Sequence, residues 1–167
     1  EKPPVLLGHG FASNVETNWG GTGWVDFLRK AGYRVVAFDN RGHGHSQKLH
    51  ELTDYGAPLM AEDAKRLLDH LGIKRAHVIG YSMGARIAAF LALAHPERVD
   101  HVVFGGLGIN MVRGMAGTGP IARALEAESI DDVTNPTART FRAFAEQTKS
   151  DLKALAACIR SARAPIT

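Results

Sequence analysis

Short apolar runs alternate with helical faces from Val5 to Phe104, and this alternation most limits how the chain can fold. Val5-Leu6-Leu7 starts after Pro3-Pro4 and ends at His9-Gly10. Residues 11–23 mix Ser, Asn, Thr and Gly without periodicity and read as a loop. Trp24, Phe27, Leu28 and Ala31 then recur at helical spacing, with Gly32 as the stop. Tyr33 to Phe38 is a second β-rich run. Met60, Ala64, Leu67, Leu68 and Leu71 form one helical face, closed by Gly72. Ala76 to Ile79 is the third run, and Ile87, Phe90, Leu91 and Ala94 make the next face, stopped by Pro96. Val99 to Phe104 is the fourth. Such alternation predicts parallel strands joined by crossover helices. The runs are almost wholly apolar, as expected where helices cover both faces of a sheet.

After Phe104 the pattern changes. Gly105-Gly106-Leu107-Gly108 interrupts it, and no further strand pattern follows. Residues 121–128 and 137–161 predict helices, with Phe141, Phe144, Ala145, Thr148, Leu152, Leu155 and Ile159 on one stripe. The expected class is therefore α/β, a mostly parallel sheet flanked by helices over residues 1–106, followed by a helical region over 107–167.

Bulk properties exclude little beyond this. A chain of 167 residues suffices for one domain with a real core. The net charge of +3 is spread without a run of like charges, so neither a nucleic-acid nor a membrane surface is expected. A single cysteine, Cys158, leaves no internal disulfide or multi-cysteine metal site, and its helical apolar neighbours predict a packing role. No run of 18 apolar residues occurs, and Glu1-Lys2-Pro3-Pro4 does not begin a secretory signal. A cytoplasmic protein is the expectation, with an N-terminus trimmed or processed because it lacks Met.

The chemistry points to Gly80-Tyr81-Ser82-Met83-Gly84, a serine squeezed between an apolar β-run and an Ala- and Leu-rich helical run. In an open parallel sheet, ligands bind beyond the carboxyl ends of the strands. A nucleophile there must project ahead of the backbone from a sharp strand-to-helix turn. Such a turn strains the serine and brings backbones close, which glycines two residues on either side permit. The new helix begins at the serine, so its free N–H groups and positive dipole end face a developing oxyanion. An oxyanion hole needs two donors. Met83 N–H supplies one, and Leu7-Gly8-His9-Gly10-Phe11, at the end of the first strand, is suited to offer the second at Phe11.

These two segments, with Phe38 to Ser46 after the second strand, resemble the α/β-hydrolase fold family in order and spacing. The resemblance covers residues 5–106, as that family's strands three to six. It implies Ser82 as nucleophile, the Met83 and Phe11 amides as oxyanion hole, and residues 107–167 as a helical lid. It gives His9 a structural role and implies no metal or organic cofactor. The family's acid and histidine follow strands seven and eight, for which no pattern is present. None of the eight histidines is placed as a base, and Gly105 to Asn110 offers no carboxylate. The second and fourth strands would be unpaired edges, an aggregation hazard. A second chain or further segment carrying the Asp and His is therefore expected to complete the sheet.

The function expected is a serine hydrolase acting on a carboxylic ester or related acyl bond of a small-molecule substrate. A carbon–carbon bond hydrolase or a perhydrolase-type haloperoxidase of the same fold are alternatives, as is a non-catalytic binding protein without a complete triad.

Overall fold

The computed structural model describes residues 2–114, 117–161 and 166. Glu1 of the expected core, and residues 115–116, 162–165 and 167 of the expected lid, lie outside the described residues. Four strands, β1 (Val5–Gly8), β2 (Val35–Ala37), β3 (Ala76–Tyr81) and β4 (Val99–Gly105), form one parallel sheet in the order β2-β1-β3-β4. The crossovers are α1 (Trp24–Lys30), α2 (Ala57–His70) and α3 (Met83–Ala94). Val5 pairs with both Val35 and His77, so β1 lies at the centre and its carboxyl end abuts that of β3. The second and fourth strands are edges, as expected.

Apolar alternation assigns the two faces. Leu6, Val36, Val78 and Val102 point toward α2 and α3, where Met60, Ala64, Leu68, Ile87 and Leu91 complete the main core. Each large buried side chain there contributes roughly 1.5–3 kcal/mol of transfer free energy. Val5, Leu7, Val35, Ala37 and Ile79 face the other way, toward Trp19, Val25 and Leu28.

Three sequence expectations change. Helices do not cover both faces throughout: on the α1 side, Val103 is 55% exposed and His101 is exposed as well. The reason is reach. A helix of 7 residues is about 10 Å long and wide, enough for two strands spaced about 4.8 Å apart. The expected loop over 11–23 contains a π-helical turn, Glu16–Gly20. The expected single helix over 137–161 is two, α6 (Pro136–Gln147) and α7 (Leu152–Arg160). Lys149 takes a left-handed φ of 54°, Ser150 N–H returns to Ala145 O at 2.9 Å, and Asp151 caps α7 through Ala154 N–H at 3.0 Å.

The short α4 (Asn110–Arg113) leads from β4 towards α5 (Thr118–Glu126), which packs against α6 and α7. Ile121, Ala122, Leu125, Ala145, Leu155, Ala156 and Ile159 form a second core, joined by Ala12 from the loop after β1. Buried Arg142 donates to the carbonyls of Ala124 and Ala127 at 2.7 and 2.8 Å, satisfying the end of α5. Ala154 to Ile159 are all buried, because α7 sends Ala157 and Cys158 into the sheet core and its other side into the second core. Cys158 packs against Met83, with sulfurs 3.9 Å apart, matching the packing role expected of it.

Candidate active site

Strand β3 ends at Tyr81, and Ser82 is the N-cap of α3 with φ 53° and ψ −116°. A side chain in that conformation costs on the order of 1–3 kcal/mol and persists where its surroundings over-determine it. Here they do. Ser82 N–H donates to Gly105 O at 2.8 Å, extending the ladder with β4 one step past the strand. A Cβ on Gly80 would overlap the Gly84 carbonyl and lie 2.6 Å from Ala85 N. A Cβ on Gly84 would overlap the Gly8 carbonyl and lie 2.7 Å from His9 O. Both flanking glycines are thus required by close backbone approach.

The loop after β1 comes to the same place. Gly10 N–H donates to Asn18 Oδ1 at 2.9 Å, and Gly10 O accepts from Ser13 N–H at 3.1 Å. His9 is fully buried; its Nε2 accepts from Asn40 N–H at 2.9 Å. That fixes the neutral tautomer whose Nδ1–H donates to Gly10 O at 2.8 Å. Burial lowers the His9 pKa, consistent with a neutral ring. His43 beneath it donates from Nδ1 to Arg41 O at 2.9 Å, and its Nε2 is buried with no partner among the described residues. Burial, with His9 alongside, pushes its pKa down to about 3. Burial of Asp39 works to raise its pKa, but N–H groups of His45 and Val15 bonded to its two oxygens outweigh this and hold it below the ordinary value.

Ser82 and Phe11 line one cleft of about 770 Å³. Its walls are mostly apolar, with Trp19, Trp24, Ile79, Val103, Phe141 and Phe144, and it is dotted with Ser13, Thr17 and Asn18. Tyr81, 48% exposed, lays its ring against the bare faces of Gly10, Gly105 and Gly106. Among the described residues, the Met83 and Phe11 amides have no hydrogen-bond acceptor.

Among the described residues, no imidazole or carboxylate hydrogen-bonds to Ser82 Oγ. His50 is held by Asp151 at 3.1 Å, and His95 by Glu62 at 2.6 Å. His77 and His101 approach each other at 3.3 Å on neighbouring strands. No group of three or more metal-ligating side chains occurs among the described residues, nor a helix long and apolar enough to cross a membrane. Sequence reasoning did not identify Asn18, Trp19, Asn40 or Thr148 as neighbours of the site. Asn18 and Trp19 sit in the unexpected π-helical turn, and Asn40 and Thr148 arrive through long-range packing that local pattern does not encode.

A family model described as "alpha/beta hydrolase fold" matches residues 3–155. A 2-hydroxy-6-oxononadienedioate/2-hydroxy-6-oxononatrienedioate hydrolase of Paraburkholderia phymatum is 42% identical over 95 residues, 53% of this chain and 33% of its own length. Epoxide hydrolase B of Mycobacterium tuberculosis is 37% identical over 112 residues, 64% of this chain and 31% of its own. The chain thus spans about a third of the length of these curated relatives. A solved N-acyl homoserine lactone degrading enzyme, Est816, superposes with a TM-score of 0.64 at 26% identity, over 93% of this chain and 62% of that one. A glycine-flanked serine at a strand-to-helix bend, on a sheet of this order, accords with the family match: the chain belongs to the alpha/beta hydrolase fold family.

Proposed function

We propose that this chain carries the nucleophile and oxyanion hole of a serine hydrolase that cleaves carboxylic esters or related acyl bonds. Ser82 Oγ attacks the carbonyl carbon, its proton passing to a base supplied by residues outside this chain. The Met83 and Phe11 N–H groups hold the tetrahedral oxyanion until the protonated leaving group departs. Water then cleaves the acyl-enzyme and frees the acid. The observation that carries this is the strained Ser82 facing a cleft beside two amides without acceptors.

The exposed edge of β4 and its uncovered face at His101 and Val103 suit a further strand and helix that bring the acid and base. Residues 107–167 serve as a lid, and the aromatic walls of the cleft suit a small to medium-sized apolar acyl group. A fluorophosphonate probe tests the proposal in the full-length natural protein. Covalent labelling at Ser82, lost in Ser82→Ala, is expected. A full-length protein that stays unlabelled is a binding protein and ends the proposal. The relative that acts on 2-hydroxy-6-oxononadienedioate favours carbon–carbon bond hydrolysis as a second reading. Turnover of a vinylogous 1,5-diketone acid that exceeds turnover of aryl esters would select it.

A further inference from the structure

The Phe11 amide is tied to the helical segment by a path that crosses from α6 to the loop after β1. Thr148 follows the last turn of α6, and its hydroxyl lies 2.9 Å from the carbonyl of Ala12. It also lies 3.1 Å from Phe144 O and 3.2 Å from Ala145 O, yet it has a single proton to give. Those two carbonyls already accept from Thr148 N–H and Ser150 N–H, both at 2.9 Å. Ala12 O has no backbone donor among the described residues, and Ser150 Oγ stands 3.5 Å away. Ala12 is fully buried, so its carbonyl would otherwise be an orphan. The Thr148 proton therefore belongs to Ala12 O, while Ser150 Oγ, 2.8 Å from Thr148 Oγ1, can donate in turn.

What this bond holds is a pair of peptide planes. The Ala12 carbonyl shares its plane with Ser13 N–H, which donates to Gly10 O at 3.1 Å. Gly10 O shares its own plane, two peptides back, with Phe11 N–H. Between them Ala12 takes a left-handed φ of 63°, a conformation that costs a non-glycine residue about 1–2 kcal/mol. That turn is kept only while both of its ends are held. His9 holds one, and Thr148 the other.

We propose that Thr148 is a positioning residue for the Phe11 amide, acting through the Ala12–Ser13 and Gly10–Phe11 peptides, so that seating of the helical segment sets the oxyanion hole. This rests on the serine-hydrolase reading above. The test compares Thr148→Val with Thr148→Ser in the full-length natural protein, with ester turnover and amide hydrogen exchange as readouts. Loss of a whole oxyanion donor costs about 10²–10³ in kcat, so a misaligned one is expected to cost about 10-fold to 10². Thr148→Val lowers kcat by that factor with KM changed less than about twofold, and exchange at Ser13 accelerates. Thr148→Ser restores both. A Thr148→Val protein with unchanged kcat, or one whose loss Thr148→Ser does not restore, overturns the proposal while labelling at Ser82 still upholds the hydrolase. Absence of labelling and turnover in the unmodified protein removes both.

Discussion

The bend after β3 and the loop after β1 reach the same cleft by different physical routes. Ser82 and Met83 are placed by steric necessity within a few residues: bare glycines, a pinned backbone N–H and the start of a helix. Phe11 is placed by separate polar contacts, from Asn18 in the neighbouring π-helical turn and, from farther along the chain, from Asn40 through His9 and from Thr148. The first arrangement is rigid because nothing can fit between the backbones. The second holds only while several separate hydrogen bonds coexist, and it is accordingly the more adjustable half.

The largest break should come at the proposed nucleophile. Ser82→Ala is expected to abolish turnover by at least about 10⁴-fold with the fold retained, checked by steady-state kinetics and thermal melting. Next is the steric half. Gly84→Ala drives a methyl group into the Gly8 and His9 carbonyls and should destabilise by about 3 kcal/mol or more in denaturant unfolding. Gly108→Ala, where an added Cβ meets nothing within 4 Å, should change stability by less than about 0.5 kcal/mol. Equal effects would refute the steric account.

Acid should strike the polar half. Unfolded histidines bind protons near pH 6.5, whereas burial holds His43 down to about 3 and His9 below its ordinary value. The unfolded chain therefore binds more protons across that interval, and stability falls as pH drops from about 6.5 towards about 3. Denaturant midpoints measured across this range should show that slope, and His43→Leu should flatten it. Among the polar contacts the smallest effect is expected at His50, whose pairing with Asp151 links the core to α7 at a half-exposed site. His50→Ala should cost less than about 1 kcal/mol, read from the same unfolding curves.

Legibility in the sequence follows the same division. The bend announces itself because its constraints are local: two glycines, a β-branched run before them and a helix former after. The alternation of β-runs and helical faces likewise foretells the sheet and its edge strands. The break between α6 and α7 stayed hidden because the apolar stripe keeps its period across Thr148 to Asp151 while the backbone does not. The uncovered face of β4 was invisible for another reason, since apolar residues such as Val103 mark a surface that packs without naming what packs there. The tie from Thr148 to the loop after β1 depends on a tertiary neighbour, which no local pattern records.

Gly84 rests its bare Cα on the ends of β1, 3.5 Å from the position a Gly8 Cβ would occupy. Helix and strand are thereby locked into one block, so the Ser82 hydroxyl and the strand end that launches the Phe11 loop travel together in any breathing of the sheet. Under the proposed function, substitution in the aromatic walls would retune which molecules enter without altering the spacing on which bond cleavage depends.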